Sequence, residues 1–317
     1  MSADWRPTAA PGALAHRAAM LARTRDFFAE RGVLEVETPV LSSAGTCDPQ
    51  IESLTTEVAG AGRFYLGSSP EFAMKRLLAA GSGDIYQVCK VFRDGERGRW
   101  HAPEFTMIEW YRLGRDDASL MTEVEDLVSH LLAPQRRLAP AERLTYAAAL
   151  RRHAGVDAHG DDAELEGAVA AHGIVCNAVL DRDARLDLLM SHVVGPKLGV
   201  ERPCFIHDYP ASQAALARIK PGPPSVAARF ELYIDGLELA NGFHELGAAQ
   251  EQRSRFMHDL ETRRGRGQPL PPVDERLLAA LAHMPDCAGV ALGFDRLVAI
   301  AVGATGLREA MAFNDNA

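Results

Sequence analysis

Phe230-Glu-Leu-Tyr-Ile-Asp-Gly-Leu-Glu-Leu-Ala-Asn-Gly-Phe-His-Glu245 is the stretch on which the reading of this chain turns. Asp235-Gly236 is a two-residue turn signal between apolar-rich runs, which predicts a β-hairpin. That turn pairs Ile234 with Leu237 and Tyr233 with Glu238. Side chains alternate along a strand, so Glu231 shares a face with Tyr233 and hence with Glu238. The two glutamates become diagonal neighbours, close enough for long side chains to meet. Leu232, Ile234, Leu237 and Leu239 fall on the opposite face, as a core requires. Like charges side by side on a half-buried strand are tolerable when a cation sits between them. Taken alone, the hairpin is equally compatible with a solvated face carrying two unrelated glutamates.

Working outward, the 317 residues suffice for one large domain or two ordinary ones. The 47% hydrophobic and 24% charged residues are ordinary for a soluble globular protein. No apolar run is long enough to span a membrane. Residues 1–12 lack the basic and apolar regions of a secretory signal. The five cysteines (Cys47, Cys89, Cys176, Cys204, Cys287) contain no C-x-x-C pair. That argues against zinc and against a disulfide framework, and predicts mostly buried, inert thiols in a reduced cytoplasm. A net charge of −9 without a basic block weighs mildly against a nucleic-acid partner.

Along the chain, residues 14–31 have helical apolar spacing, with Met20, Leu21, Phe27 and Phe28 on one stripe and Gly32 as the stop. Val33 to Pro39 reads as extended. Ser69-Pro70-Glu71 reads as a helix start with Ser at the cap and Pro at the first helical position, the helix running to about Ala80. Strands are predicted over 85–92, 105–111, 204–209 and 290–292, and helices over 122–132, 250–264 and 294–302. The 250–264 helix has the composition of a solvated face. The stretch 133–200 reads as a weakly patterned helical insertion, and 220–224 as a loop. Strands from both halves with helices between them imply an α+β domain around a mostly antiparallel sheet.

Two further segments carry chemistry. Val91 to Tyr111 reads as strand, polar loop, strand, and on the returning strand Phe105, Met107, Glu109 and Tyr111 share a face. An aromatic ring followed by a carboxylate and a phenol suits a ligand with a flat base at one end and an ammonium at the other. Arg93 and His101, at the two ends of the loop, are placed to meet phosphate oxygens. Ala288 to Leu297 is a Gly-containing strand feeding directly into a helix, where Gly293 permits close approach of a ligand. Arg296 in the first turn opposes the helix dipole, a placement that a nearby anion explains.

In order and spacing these segments resemble motifs 2 and 3 of class II aminoacyl-tRNA synthetases. Arg31-Gly-Val-Leu-Glu-Val-Glu-Thr-Pro39 resembles motif 1, the dimer-forming helix and strand. The resemblance is closest to the lysyl-tRNA synthetases, through Pro103-Glu-Phe-Thr106, Glu238-Leu-Ala-Asn-Gly-Phe243 and Gly293-Phe-Asp-Arg296. It covers residue 14 to the C-terminus as a single class II catalytic domain after a tail of residues 1–13. Motif 1 comes so early that no anticodon-binding domain is expected. The chain therefore resembles the truncated paralogues in that family that act on elongation factor P. Pro210-Ala-Ser-Gln213, Asn241-Gly-Phe-His-Glu-Leu246 and Met284-Pro-Asp-Cys287 support that relative.

This resemblance implies a two-step ATP-dependent ligase. It activates (R)-β-lysine as an adenylate and transfers it to a lysine ε-amine of elongation factor P. It further implies a cytoplasmic homodimer joined through motif 1, with tRNA a poor acceptor. By the resemblance, Arg93 holds the α-phosphate and Arg296 the γ-phosphate, and both act in catalysis. Phe105 stacks on adenine and His101 meets the outer phosphates, while Gly95, Leu239 and Gly293 complete the ATP site. Glu231 and Glu238 carry magnesium. Ser69, Pro70, Glu71, Glu109, Tyr111, Asn241, Phe243, Glu245 and Ala291 line the amino-acid pocket. Three positions depart from the family pattern. Gly95 stands where the motif 2 loop has a glutamate that reads adenine, with Glu96 next to it. Ala102 replaces an Asn, and Ala291 a Gly. Two rival readings are an enzyme releasing a free amino-acid product and a non-catalytic regulatory paralogue.

Overall fold

The Asp235-Gly236 turn forms with φ of 53° and 76° at its two residues. Two consecutive left-handed residues define the type I′ geometry that matches strand twist, and Gly adopts it without steric cost. The structure is a computed structural model describing residues 5–175 and 180–314. It begins with α1 (Pro11–Ala29), β1 (Leu34–Glu35), β2 (Leu41–Ser42), β3 (Thr55–Val58), β4 (Gly62–Leu66) and α2 (Glu71–Ala79). There follow β5 (Ile85–Phe92), β6 (Glu104–Leu113), α3 (Asp117–Leu132), β7 (Glu142–Thr145), α4 (Tyr146–His153), α5 (Asp162–Ala171) and α6 (Arg182–Leu189). The last part comprises β8 (Cys204–Pro210), β9 (Ile219–Lys220), β10 (Val226–Ile234), β11 (Leu237–His244), α7 (Ala249–Gly265), α8 (Glu275–Leu281), β12 (Cys287–Gly293) and α9 (Phe294–Ala301).

The main sheet runs β1-β5-β6-β12-β11-β10-β8-β7, with β9 also on β10, and β2-β4-β3 form a smaller sheet. Every pair in the main sheet is antiparallel except β1–β5 and β7–β8. The fold is therefore α+β around a mostly antiparallel sheet, as expected. Alternation along the central strands divides its two faces. Ile108, Trp110, Val290, Leu292 and Leu232 pack against α1, α3 and α9, including Phe28, Leu127 and Leu297. The residues between them (Glu109, Ala291, Asn241) turn to the other face. The small sheet, α2 and α8 complete the walls of a cavity above that face.

Four local expectations change. The hairpin pairs Ile234 with Leu237 and Tyr233 with Glu238, but then slips by one, so Leu232 faces Ala240 and Glu231 faces Asn241. Leu239 is the surplus residue of a β-bulge. Leu232, Ile234 and Leu239 are buried in the core, whereas Leu237 is half-exposed. Pro70 rather than Ser69 occupies the cap of α2, while Ser69 Oγ accepts from Glu71 N at 3.0 Å. The 133–200 segment is not wholly helical, since β7 pairs in parallel with β8. Its helices pack through Leu150, Leu165 and Leu189 onto Ile206 and Tyr233 at the sheet's end. Finally, α7 is more than a solvated face: Arg263, 1% exposed, donates to the carbonyls of Asp48, Ile51 and Pro269 and to Glu52. It clamps the loop that leads into β3.

Cys47, Cys204 and Cys287 are buried free thiols and Cys89 is half-buried, and burial pushes each up to about 12. Cys176 lies outside the described residues. Among the described residues, no helix is long and apolar enough to cross a membrane.

Candidate active site

Strand register assembles the floor of the cavity. Glu231 pairs with Asn241, Asn241 with Ala291, and Ala291 with Glu109. One row therefore crosses β10, β11, β12 and β6, and its directly opposed residues share a face. The next row is Arg229, Phe243, Gly289 and Tyr111. The bulge is what makes this possible. Strict alternation from Glu238 would turn Asn241 and Phe243 into the core. With Leu239 surplus, Leu239 and Ala240 are both buried and Glu238, Asn241, Phe243 and Glu245 all line the cavity.

The cavity measures about 520 Å³. It is lined by every residue expected at the site except Gly95 and Glu231. Gly95 has φ 74°, which accounts for the glycine by itself, while its neighbour Glu96 faces the cavity. No protein contact demands glycine at 293: an added Cβ would meet its nearest atom, Leu239 O, only at 3.8 Å. Ala102 is buried with Leu307 and Met311, so the loop is fastened by apolar packing where an Asn side chain was expected.

One end of the cavity is cationic. Arg296 donates to Glu238 O at 2.8 Å, to Trp100 O at 3.1 Å and to His101 Nε2 at 2.8 Å. Asp295, beside it, accepts from Thr106 N at 2.6 Å and pairs with Arg17 of α1, which fixes the start of α9 against β6. Burial and the adjacent Arg296 hold His101 below the ordinary histidine range. The Arg93 guanidinium lies 5.1 Å from the centroid of the Phe105 ring. Its nearest carboxylate oxygen, on Glu96, is 3.4 Å away.

Between the ends sits Glu238. Burial and Glu231 raise it to about 7 against the opposing pull of Arg296, Arg229 and Arg93. Glu231 accepts from Arg229 Nη2 at 2.6 Å and Tyr233 OH at 2.7 Å. Among the described residues, no group of three or more His, Cys, Asp or Glu is arranged to hold a metal ion. Magnesium commonly takes one or two carboxylates together with substrate phosphates and water. Glu238 faces the cavity and suits such a nucleotide-borne ion, whereas Glu231, expected beside it, lies outside the lining with each oxygen already bonded to Arg229 or Tyr233.

The other end is anionic and tight. Glu109, 2% exposed, accepts from Ser69 Oγ and Tyr111 OH, both at 2.7 Å. Burial and Glu71 push it up to about 8. Glu245, 1% exposed, is raised to about 7 by burial, against Lys75. Gly289 makes the room: a Cβ there would lie 2.3 Å from the Tyr111 ring and 2.6 Å from Glu245 Oε1.

Four participants escaped the sequence reading. Arg229 lies two residues before Glu231, and the same alternation would have found it. Lys75 lies one helical turn after Glu71, on its face. Gly289 and Trp100 carry no local signal, because their roles depend on what stands across the sheet or the loop.

A protein-family model described as tRNA synthetases class II (D, K and N) matches residues 2–317. The chain is 48% identical over 322 residues to the elongation factor P–(R)-β-lysine ligase of Vibrio vulnificus (strain YJ016), covering 99% of this chain and 98% of that protein. It is also 48% identical over 321 residues to the ligase of the same name from Salmonella arizonae, covering 98% of each. With a family model matching nearly its whole length and relatives 48% identical, this chain belongs to the class II tRNA synthetase family of the D, K and N type.

Proposed function

We propose that the protein is an ATP-dependent ligase that activates (R)-β-lysine and joins it to a lysine ε-amine of elongation factor P. The carrying observation is a single cavity with a cationic end at Arg93 and Arg296 and three carboxylates, Glu71, Glu109 and Glu245, at the other. A molecule with phosphates at one end and amines at the other matches it in charge. Relatives at 48% identity, similar along nearly their whole length, bear the name of that activity.

In the first step a substrate carboxylate oxygen attacks the α-phosphorus, forming the adenylate and releasing pyrophosphate. Arg93 neutralises charge at the α-phosphate, Arg296 and His101 bind the outer phosphates, and Phe105 stacks on adenine. Magnesium, when bound with the nucleotide, supplies further neutralisation of the phosphates, and Glu238 would hold it. Glu71, Glu109 and Glu245 receive the amines and Asn241 orients the carboxylate end. In the second step the acceptor amine attacks the carbonyl carbon, an amide forms, AMP leaves and the amine gives up a proton. No enzyme nucleophile is needed: positioning and charge neutralisation carry the rate.

The acceptor docks over the cavity mouth. The enzyme is a cytoplasmic homodimer joined around 31–39, where Leu34 and the adjacent Val40 and Leu41 are exposed apolar residues. Incubation with ATP, magnesium and (R)-β-lysine is expected to add one β-lysyl mass to elongation factor P. Efficient charging of tRNA-Lys with no transfer to elongation factor P would reverse the assignment.

A further inference from the structure

The amino-acid end of the cavity holds a cation that the scheme above does not use. Lys75 on α2 is 1% exposed, and its ammonium lies 2.7 Å from Glu71 Oε1 and 2.6 Å from Glu245 Oε2. A lysine is almost never so buried unless paired. Burial alone would drive its proton off, but Glu245 and Glu71 outweigh burial and hold it charged. A pair serving only to staple α2 to the sheet would have no reason to face a cavity. Here both carboxylates line it, and among the described residues neither buried oxygen of Glu245 has a hydrogen-bond partner beyond its ion-pair contact with Lys75.

We propose that Lys75 is a positioning residue for the amino-acid subsite, holding Glu71 and Glu245 side by side and charged so that they receive the ammonium groups of a dibasic substrate. The inference rests on the functional reading above. Lys75 holds Glu245 by an ion pair at Oε2, and Oε1, farther from that ammonium, is open to a ligand donor. Glu109 is fixed independently by Ser69 and Tyr111 and keeps spare acceptor capacity.

The titratable groups facing Lys75 and its partners are Glu71 on α2, Glu109 and Tyr111 on β6, and Cys287 on β12. Beside Glu245, Arg218 binds its backbone carbonyl and Asp286 pairs with Arg218. Removing the Lys75 cation takes away the charge that opposes burial at Glu245, so that carboxyl keeps its proton to higher pH. Binding of a dication needs it ionised, so the acidic limb of the pH profile moves upward.

The test uses the full chain with Lys75→Met and Lys75→Arg, read by (R)-β-lysine-dependent pyrophosphate exchange from about pH 6 to 9. In Lys75→Met the amino-acid KM at neutral pH should rise roughly tenfold, while the ATP KM stays within about twofold. The acidic limb of kcat/KM should shift up by about one pH unit, and the KM defect should shrink at alkaline pH. Lys75→Arg should retain the parent limb. Amino-acid and ATP KM rising together with an unmoved limb would show a merely structural lysine and overturn the proposal. If Lys75→Met lacks a native near-UV spectrum, Lys75→Arg decides: a parent-like limb supports the proposal, and a limb displaced in that folded variant overturns it. A parent protein inactive with every lysine-type amino acid defeats the functional reading and this inference with it. An active parent with an unchanged Lys75→Met variant defeats this inference alone.

Discussion

The two ends of the cavity are built on opposite terms. At the cationic end, Arg296 is held by two backbone carbonyls and an imidazole, and Arg93 by a Glu96 oxygen at 3.4 Å and the Phe105 ring. These are neutral or distant partners, which an anionic ligand can replace at little cost. At the amino-acid end, Glu109 and Glu245 are 2% and 1% exposed, with contacts of 2.6–2.7 Å. Such groups are costly to leave half-satisfied, so on the proposed function a ligand lacking an amine is expected to be rejected strongly. The contrast teaches that affinity for a highly charged nucleotide needs only reachable cations. Choice among small amino acids needs buried, prearranged carboxylates.

The comparison breaks hardest at the phosphate end. Arg93→Ala is expected to lower the rate of pyrophosphate exchange by about a thousandfold with the fold intact, because charge neutralisation at the reacting phosphate is the main catalytic contribution. Exchange near the parent rate would show that this end is not where the chemistry occurs. Glu238→Gln should cost about a hundredfold, deepest at limiting magnesium, and Glu231→Gln less, since Arg229 and Tyr233 already engage it. Parent-like exchange in Glu238→Gln at limiting magnesium would remove the carboxylate from the metal's neighbourhood.

Gly289→Ala attacks the other end alone. Its new methyl would fall 2.3 Å from the Tyr111 ring, and we expect about 1–3 kcal/mol of lost stability by denaturant unfolding together with a raised amino-acid KM. An unaltered ATP KM in the same variant would confirm that the two ends are separately built.

Acidity sharpens the contrast further. The Glu109 carboxyl is raised to about 8 in the folded protein, so the folded state holds a proton that the unfolded chain gives up near the ordinary carboxylate value of 4.5. That contribution to stability is complete below 4.5 and is lost as pH rises through 8. The thermal midpoint of the substrate-free protein should therefore fall by roughly a few °C across that window. In Glu109→Gln the fall should be shallower, and equal slopes in the two proteins would refute the assignment. The smallest expected effect is at Ala291, whose methyl stands in the floor row between Asn241 and Glu109. Ala291→Gly should improve α-lysine activation relative to (R)-β-lysine by an amount worth about 1–3 kcal/mol. An unchanged ratio of the two activities would place selectivity elsewhere.

Much of this was legible in the chain itself. Several strands and helices, such as 85–92 and 250–264, appear within a few residues of their expected bounds. The Asp-Gly turn appears with the predicted pairing at its tip. What was not legible depended on partners far away in sequence. The strand at Glu142–Thr145 has no strong alternation and exists because β8 offers an edge. Arg263 reads as one more charge on a polar helix until the carbonyls of Asp48 and Ile51 are brought to it. The role of Gly289 is set by Tyr111 and Glu245, which no local pattern connects.

The bulge at Leu239 has a consequence for how the site can change. A strand displays its residues by parity, and one surplus residue inverts that parity for everything downstream. Glu238 lies before the inversion, and Asn241, Phe243 and Glu245 lie after it. The ends proposed for the nucleotide and for the amino acid are thus in phase only while the count between them stays as it is. Deleting residue 239 removes no charged or polar side chain, yet it would turn Asn241 and Phe243 toward the packed helices and bring Ala240 and Gly242 up in their place. Point substitutions along this hairpin tune the site by degrees, whereas a single-codon deletion would switch off the encounter between its two substrates.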